Sequence, residues 1–176
     1  MKKILVLSAL VLAVMTSIIA GTLAMYTTRL DNLAEGSVVA KEFVLLKGGT
    51  DTFTRNVKIA PGETTNWQFS VKNYNGSVIS ETAMDLHFDV AAMAADGKSV
   101  IAPLVITVKD SSGNTVGTVT SSGTINFTDN FALRADGQEK TYTVSVIWPS
   151  NNAVDKDYAG ANFGTAVRVS VTGTQV

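Results

Sequence analysis

Apolar and polar side chains alternate strictly in several short segments of this 176-residue chain. The clearest examples lie in Asn66–Lys72 and Met84–Val90. Their apolar members are Trp67, Phe69 and Val71, and then Met84, Leu86, Phe88 and Val90. Successive side chains of a β-strand point to opposite faces, so each segment predicts a strand with one apolar and one polar face. An amphipathic helix needs a period near 3.6, which these segments lack.

Turn signals separate these segments and complete the fold prediction. Further apolar runs occur at Leu104–Val108, Tyr142–Trp148 and Val167–Val171. Between the segments lie the steps Pro61-Gly62, Asn75-Gly76, Asp96-Gly97, Ser112-Gly113, Ser122-Gly123 and Asp136-Gly137. The 22 Val and 21 Thr residues favour strands, because β-branched side chains suit a pleated surface. We therefore predict an all-β protein, an antiparallel jelly-roll or Ig-like β-sandwich.

Two segments are ambiguous. The segment Leu33–Lys47 has no clear period, and Ala153–Phe163 is expected to hold a short helix or a turn. The aromatic residues on the apolar faces of the strands are expected in the core. They are Trp67, Phe69, Phe88, Tyr142 and Trp148.

The N-terminus predicts an export signal that forms an N-terminal helix. A basic start, Met1–Lys3, precedes the apolar run Ile4–Ala20, and small residues follow at Thr22 and Ala24. This order is typical of a secretory signal peptide, with cleavage between Ala24 and Met25. The alternative is an uncleaved anchor, although this run is at the short end of what spans a bilayer. We expect a secreted protein, extracellular or at the cell surface, without stable membrane insertion after cleavage.

Composition excludes several classes of function. The chain has no cysteine, so it has neither disulfides nor thiolate ligands for a metal. Its formal charge of −1 argues against a nucleic-acid partner. The single histidine, His87, shares the polar face of a predicted strand with Asp85 and Asp89. A weak cation site or a catalytic role is conceivable for such a cluster, but an ordinary solvated sheet face is favoured. We therefore expect no cofactor, no metal and no enzyme activity.

Four stretches carry short motifs in a defined order. They are Gly21–Thr28, Ala34–Val38, Asn56–Ser77 with its Pro61-Gly62-Glu63 and Asn75-Gly76-Ser77 steps, and Asp157–Gln175. In this order and spacing, the set resembles the TasA/camelysin family of secreted matrix-fibre proteins, which are exported through a dedicated signal peptidase. The chain departs from the family pattern at Thr28, Ala159 and Gly173.

The resemblance implies a division of the chain and a mode of assembly. Residues 1–24 would be the signal peptide, 25–33 a donor strand, and 34–176 the sandwich domain. The donor would complete the sheet of a neighbouring copy, with Tyr26, Leu30 and Leu33 as its anchors. Such a contact joins unlike surfaces, so it gives a head-to-tail homopolymer. A minor anchoring or nucleating subunit is a further partner of this kind of fibre.

Two other functions remain open. The first is a monomeric cell-surface adhesin or binding module, for which Tyr74 and Tyr158 are the candidate outward aromatic residues. The second is a metalloprotease, as camelysin-type members are described. It is disfavoured because His87 and carboxylates alone would have to supply its catalytic zinc ligands. If residues 25–33 are not a donor strand, they form a disordered new N-terminus.

Overall fold

The computed structural model describes residues 38–176, together with Val6, Leu10 and Val11, which are helical. The chain divides into two units, Met1–Val39 and Ala40–Val176. Most of the expected signal helix lies outside the described residues. The second unit contains these strands and one 3₁₀ helix: β1 Leu46–Asp51, β2 Thr64–Lys72, β3 Tyr74–Asn75, β4 Val78–Ile79, β5 Met84–Ala94, β6 Val105–Lys109, β7 Thr115–Thr120, β8 Gly123–Phe131, β9 Glu139–Ile147, the helix Asp155–Tyr158, and β10 Thr165–Gln175.

The strands form two main antiparallel sheets. One sheet has the order β1-β2-β9-β6-β7, and the other has the order β10-β5-β8. The short strands β3 and β4 form a separate hairpin. All pairings between these strands are antiparallel. The predicted all-β antiparallel sandwich is confirmed.

The core lies between the apolar faces of the two sheets. In β5 the inward side chains Met84, Leu86, Phe88 and Val90 are almost completely buried. They pack against inward residues of β2, β6 and β9. Phe88 lies 4.7 Å from the ring of Tyr142 across the sandwich. The alternating apolar residues in the sequence of β5 are therefore the ones whose side chains are buried in the core.

Four of the five predicted core aromatics are buried, and the fifth lies near the surface. Phe69, Phe88, Tyr142 and Trp148 are each at most 8% exposed. Trp67 is only half-buried, and its ring stacks on Phe53 at 5.2 Å.

The predicted turns occur where the chain reverses. Gly76 has φ of 60° between β3 and β4, and Gly62 has φ of 86° in the connection that leads into β2. Such angles are disfavoured for residues with a Cβ atom, which explains glycine at these two positions. The expected short helix in Ala153–Phe163 is the 3₁₀ turn, where Asp155 accepts hydrogen bonds from Trp148 Nε1 and the backbone N–H of Asn151.

Five strands were not predicted from the sequence: the two-residue strands β3 and β4 on either side of the Asn75-Gly76 turn, and the longer strands β1, β7 and β8. β1 contains two glycines, and β7 consists of Thr, Val and Gly, so neither has a strong apolar row. β8 has such a row in Ile125, Phe127 and Phe131, but Asp129 interrupts it. The pattern therefore identified the long apolar strands and missed those in which a glycine or a charge breaks the alternation.

Candidate functional site

The strand β10 is an edge strand along its whole length. All 11 of its residues pair with β5, from Thr165 opposite Ala94 to Gln175 opposite Met84. Among the described residues, no strand pairs with its other side. The backbone N–H and C=O groups on that side have no strand partner within the described residues, which is the arrangement that addition of a strand requires.

This edge lacks the features that usually prevent pairing. β10 has no proline and no break in its register with β5. Arg168 is its one charged residue, and it lies on the outer face of the sheet. Protected edges are instead short, bulged or charged on the inward face. β10 is long, has no bulge and carries no charge on its inward face, so it lacks all three kinds of protection.

The other edge on the same side of the sandwich is built differently. β1 has six residues, and its register with β2 shifts between Lys47 and Asp51. These two side chains form an ion pair. The hydrogen bond from Lys47, followed by that from the backbone of Phe53, lowers the pKa of Asp51. β1 therefore has both a bulge and a charged pair, which disfavour addition of a strand there.

An apolar groove separates these two edges. Its volume is about 340 Å³. It is lined by Lys47, Asp51, Phe53, Phe69, Ser70, Val71, Val169 and Val171, and we call it the β10 groove. Val169 and Val171 are half-buried, although their partners on β5, Val90 and Phe88, are each 1% exposed. The apolar face of β10 is therefore incompletely covered.

The aromatic wall of the groove is held by local hydrogen bonds. Phe53 follows β1 and stacks on Trp67, and its ring lies edge-on to that of Phe69, with 6.2 Å between the ring centroids. Its backbone N–H donates to Asp51 Oδ1 at 3.0 Å. The preceding Thr52 N–H donates to the carbonyl of Gln68 at 2.9 Å. These bonds fix Phe53 at the surface in a position where a further apolar side chain could pack on it.

A carboxylate attaches β1 to the rest of its sheet. Glu139 accepts hydrogen bonds from Ser70 Oγ at 2.5 Å, from Gly49 N–H at 2.7 Å and from the Tyr74 hydroxyl at 3.3 Å. The bond from Ser70, and then that from Gly49, lower the pKa of Glu139. The network holds β1 in place as the second side of the groove.

Leu45 packs against Gly173 near the C-terminal end of β10. A Cβ atom at Gly173 would lie 2.6 Å from Met84 Sδ and 2.8 Å from Leu45 Cδ2, so these side chains already occupy that space. The backbone just before Leu45 is anchored by Glu42, whose N–H donates to Glu81 and whose carbonyl accepts from the Glu81 N–H. The chain thus enters the domain at the C-terminal end of β10.

On the opposite side of the sandwich, β7 of one sheet packs directly against β8 of the other sheet. Gly117 of β7 lies against Ile125 of β8, so close that a Cβ atom there would be 2.1 Å from Ile125 Cγ2. Farther along β8, Asp129 points inward, forms an ion pair with Lys140 and accepts a hydrogen bond from the Tyr142 hydroxyl at 2.7 Å. An inward charge on an edge strand disfavours pairing with another chain.

The ionisation of this cluster follows from its partners. Burial raises the pKa of Asp129, but the hydrogen bonds from Lys140, Tyr142 and the Asn130 backbone outweigh it, so the pKa lies below its ordinary value. Burial, and then the hydrogen bond to Asp129, raise the pKa of Tyr142 well above its ordinary range. The cluster was missed in the sequence, although Asp129 and Lys140 lie in phase with the apolar rows of their strands.

The five residues predicted as cleavage and donor positions lie outside the described residues. They are Ala24, Met25, Tyr26, Leu30 and Leu33. Their roles therefore remain predictions. What the structure describes is a groove and an unpaired edge of the kind that the donor segment was expected to need.

The three polar residues around His87 share one face of β5, as predicted. Asp85, His87 and Asp89 are all exposed on the outer face of the three-stranded sheet. Within residues 38–176 and the three helical positions, no group of three or more His, Cys, Asp or Glu side chains could hold a metal ion.

The two predicted outward aromatics are both half-buried. The Tyr74 ring packs on Gly137 and lies 4.9 Å from Lys72 Nζ. The Tyr158 ring packs edge-on against Phe163 at 5.5 Å. Each ring therefore packs against residues of the same sandwich domain.

A second depression of about 480 Å³ lies away from the β10 groove. It is lined by Ser77, Ile79, Ser80, Glu81, Leu133, Arg134 and Ala135. It lies between the β3–β4 hairpin and the loop after β8. The β10 groove is the better candidate because it combines an apolar surface with free backbone groups.

Two broader comparisons complete the description. In the part of the chain that the structure describes, no helix has the length and apolar character needed to cross a membrane. No model of a known protein family matches the chain, and no curated protein matches it.

Proposed function

We propose that this protein is a secreted structural subunit that polymerises head-to-tail, by donor-strand complementation, into extracellular fibres. The observation that supports this most strongly is the 11-residue unpaired edge of β10 beside an apolar groove. An extended segment at this edge would satisfy the free backbone groups and cover the half-buried valines.

The donor in this proposal is the segment 25–33 of a neighbouring copy. It follows the expected cleavage site between Ala24 and Met25, so processing would free it. Because the donor and the β10 groove are different surfaces of one chain, each contact leaves a free donor and a free groove at the two ends of the complex. Such a contact propagates without closing.

The asymmetry of the sandwich supports a linear polymer. The β10 side is open, whereas the opposite side carries the Gly117–Ile125 contact and the inward charge of Asp129. One subunit would then accept a single donor strand. A subunit with one acceptor and one donor gives unbranched chains.

Negative-stain electron microscopy of two purified versions of the protein tests the proposal. One version begins at Met25, and the other begins at Ala34 and lacks the donor segment. We expect regular filaments from the first and monomers from the second. Circular dichroism of both shows whether the shorter version is still folded.

Other outcomes have defined meanings. Filaments from both versions would keep the fibre function and remove segment 25–33 as the donor. No filaments from either version, across salt concentrations and pH values, would contradict the fibre function and favour a monomeric binding module.

A further inference from the structure

The free side of β10 presents a regular row of backbone groups. Just beyond one end of the strand, the N–H of Val176 donates to the carbonyl of Ala83. Just beyond the other end, the N–H of Ala95 donates to the carbonyl of Gly164. Alternate residues of an antiparallel strand bond to the same neighbour, so the even-numbered residues of β10 bond to β5. The groups that point to the free side therefore belong to the odd-numbered residues, which are Thr165, Val167, Val169, Val171, Gly173 and Gln175.

This row is complementary to itself. When a second copy of β10 runs antiparallel to the first with Ser170 at the centre, every odd-numbered residue meets an odd-numbered residue of the other copy. A centre at Val169 leaves Gln175 without a partner strand, and a centre at Val171 does the same to Thr165. Registers that place inward side chains opposite outward ones are excluded by the pleat. The pairs in the register centred on Ser170 are Thr165 with Gln175, Val167 with Gly173, and Val169 with Val171.

The side chains on both faces suit this register. On the inward face, Val169 of each copy lies beside Val171 of the other, so the half-buried valines of the two β10 grooves cover each other. On the outer face, Arg168 lies opposite Thr172 of the other copy. A centre at Arg168 would instead place the two arginines directly opposite each other, which is unfavourable.

The outer face of β5 supplies the opposite charge for this arginine. Thr172 pairs with His87, and Asp85 and Asp89 lie on either side of His87 on the same exposed face. Arg168 of the second copy therefore projects across Thr172 toward two carboxylates on a strand about 10 Å away across the sheet. A side chain as long as arginine reaches such neighbours. Symmetry repeats the contact, so each copy contributes one arginine and one pair of carboxylates.

The other sheet edges in the described part of the chain are less suited to pairing with themselves. β1 is short and has a register shift. The pairing of β6 with β7 also shifts, and β7 packs on β8. β8 has the inward carboxylate of Asp129, which a symmetric pair would duplicate. β10 is regular over its whole length, so it is the edge that a second copy fits best.

We infer that two copies of this chain pair through β10, antiparallel and centred on Ser170, as a symmetric dimer. The contact joins like surfaces, so it closes after two copies. One strand of each copy forms it, so the interface is small and reversible. We therefore expect dimers at high protein concentration and monomers at the dilution used for electron microscopy.

The dimer covers the edge that the proposed fibre uses. While two β10 strands are paired, neither groove can accept a donor strand, so the dimer is a reserve form that must dissociate before assembly. This consequence rests on the proposed function, whereas the dimer itself does not.

Single-cysteine variants test the register, because the chain has no native cysteine. At the centre, Ser170 faces Ser170 of the other copy as a non-hydrogen-bonded pair, with the Cα atoms about 4.5 Å apart, a separation that a disulfide allows. Arg168 and Thr172 lie on the same exposed face, but each is displaced by about 13 Å along the strand from its equivalent in the other copy. They are instead opposite each other.

The experiment compares Ser170→Cys with Arg168→Cys and Thr172→Cys in the version that begins at Ala34. This version contains every residue of the hydrophobic core and lacks the expected donor segment. Circular dichroism confirms that each variant is folded. After mild oxidation at high protein concentration, non-reducing gels should show covalent dimers from Ser170→Cys at least about tenfold faster than from either other variant alone. An equimolar mixture of Arg168→Cys and Thr172→Cys should give the dimer that neither gives by itself.

A charge at the centre provides a second test without cysteine. In Ser170→Asp the two new carboxylates would lie directly opposite each other, so the dimer should weaken. Analytical ultracentrifugation over a range of concentrations should show dimers of the unsubstituted version that begins at Ala34 and monomers of its Ser170→Asp variant. Equal association of the two would contradict the centre at Ser170.

The contrary results separate the two proposals. Absence of covalent dimers from Ser170→Cys, or equal rates from all three single-cysteine variants, would overturn the β10 dimer. Filaments from the version that begins at Met25 would in that case leave the fibre function standing. Covalent dimers from Ser170→Cys, with no filaments from the version that begins at Met25, would support the dimer and contradict the fibre function.

Discussion

Gly117 shows how one residue determines the distance between the two sheets. It lies in β7, and the side chain of Ile125 on β8 occupies the place where a Cβ atom would stand. Ile125 is only 5% exposed, so it cannot move into solvent without losing its own packing. The close approach of β7 and β8 on the closed side of the sandwich therefore requires glycine at this position.

The substitution Gly117→Ala tests this contact, with Gly49→Ala as its control. We expect Gly117→Ala to lower the free energy of unfolding by about 1–3 kcal/mol, because it overpacks a filled site. A Cβ atom at Gly49 would lie 3.7 Å from Glu139 Oε1, an ordinary contact, so this variant should be nearly neutral. Urea denaturation measures both. Equal stability of the two variants would show that β7 moves away from β8 at little cost.

At the scale of the element, β10 differs from β1 although both are edges on the same side. β1 is irregular and carries the Lys47–Asp51 pair, whereas β10 is regular, and its inward face is apolar. Val169 and Ser170 are neighbours on β10 that point to opposite faces. A substitution at Val169 therefore changes the groove, whereas a substitution at Ser170 changes only the outer face of the same strand.

We expect Val169→Asp to abolish filaments and Ser170→Asp to retain them. The first places a carboxylate in the groove, where a bound donor would remove it from water without a partner. The second places the same charge on the outer face. The amount of sedimentable polymer should fall at least about tenfold for Val169→Asp alone, with electron microscopy as a check. Tryptophan fluorescence establishes that both variants are folded. Normal filaments from Val169→Asp would exclude the β10 groove as the acceptor.

At the scale of the whole molecule, the edge strands β7 and β8 pack on each other at one side of the sandwich, whereas no described strand pairs with the β10 edge at the other side. The closed side depends on the charged form of Asp129, which holds Lys140 and Tyr142. Its pKa is lowered in the folded protein, so its contribution to stability is present above the pKa of the unfolded chain. This contribution is lost as the pH falls below about 4 and through the lowered value.

The stability of the protein should therefore fall as the pH drops below about 4, the ordinary pKa of an aspartate, and the fall should be smaller in Asp129→Asn. The substitution itself should cost about 1 kcal/mol at neutral pH, because the site is partly exposed to solvent. Urea midpoints at a series of pH values measure both effects. Parallel pH profiles of the two proteins would show that other carboxylates account for the acid sensitivity.

Local signals in the sequence determined the long apolar strands and the turns between them. The alternation of Met84, Leu86, Phe88 and Val90 specifies a strand and its buried face, because a side chain's direction depends only on its own backbone. The Asn75-Gly76 step likewise specifies its turn, because positive φ is a property of a single residue. These features could be predicted without knowing which strands become neighbours.

The order of the strands was decided only by the tertiary structure. Val167–Val171 was predicted as a strand, but nothing in it shows that it pairs with β5, some 80 residues earlier, and with no other strand among the described residues. The ion pair of Asp129 and Lys140 likewise depends on two strands in different sheets. Which edge is open, and therefore where another chain could bind, follows from pairings between distant segments. Such pairings depend on the packing of the whole core, and no local pattern in the sequence contains them.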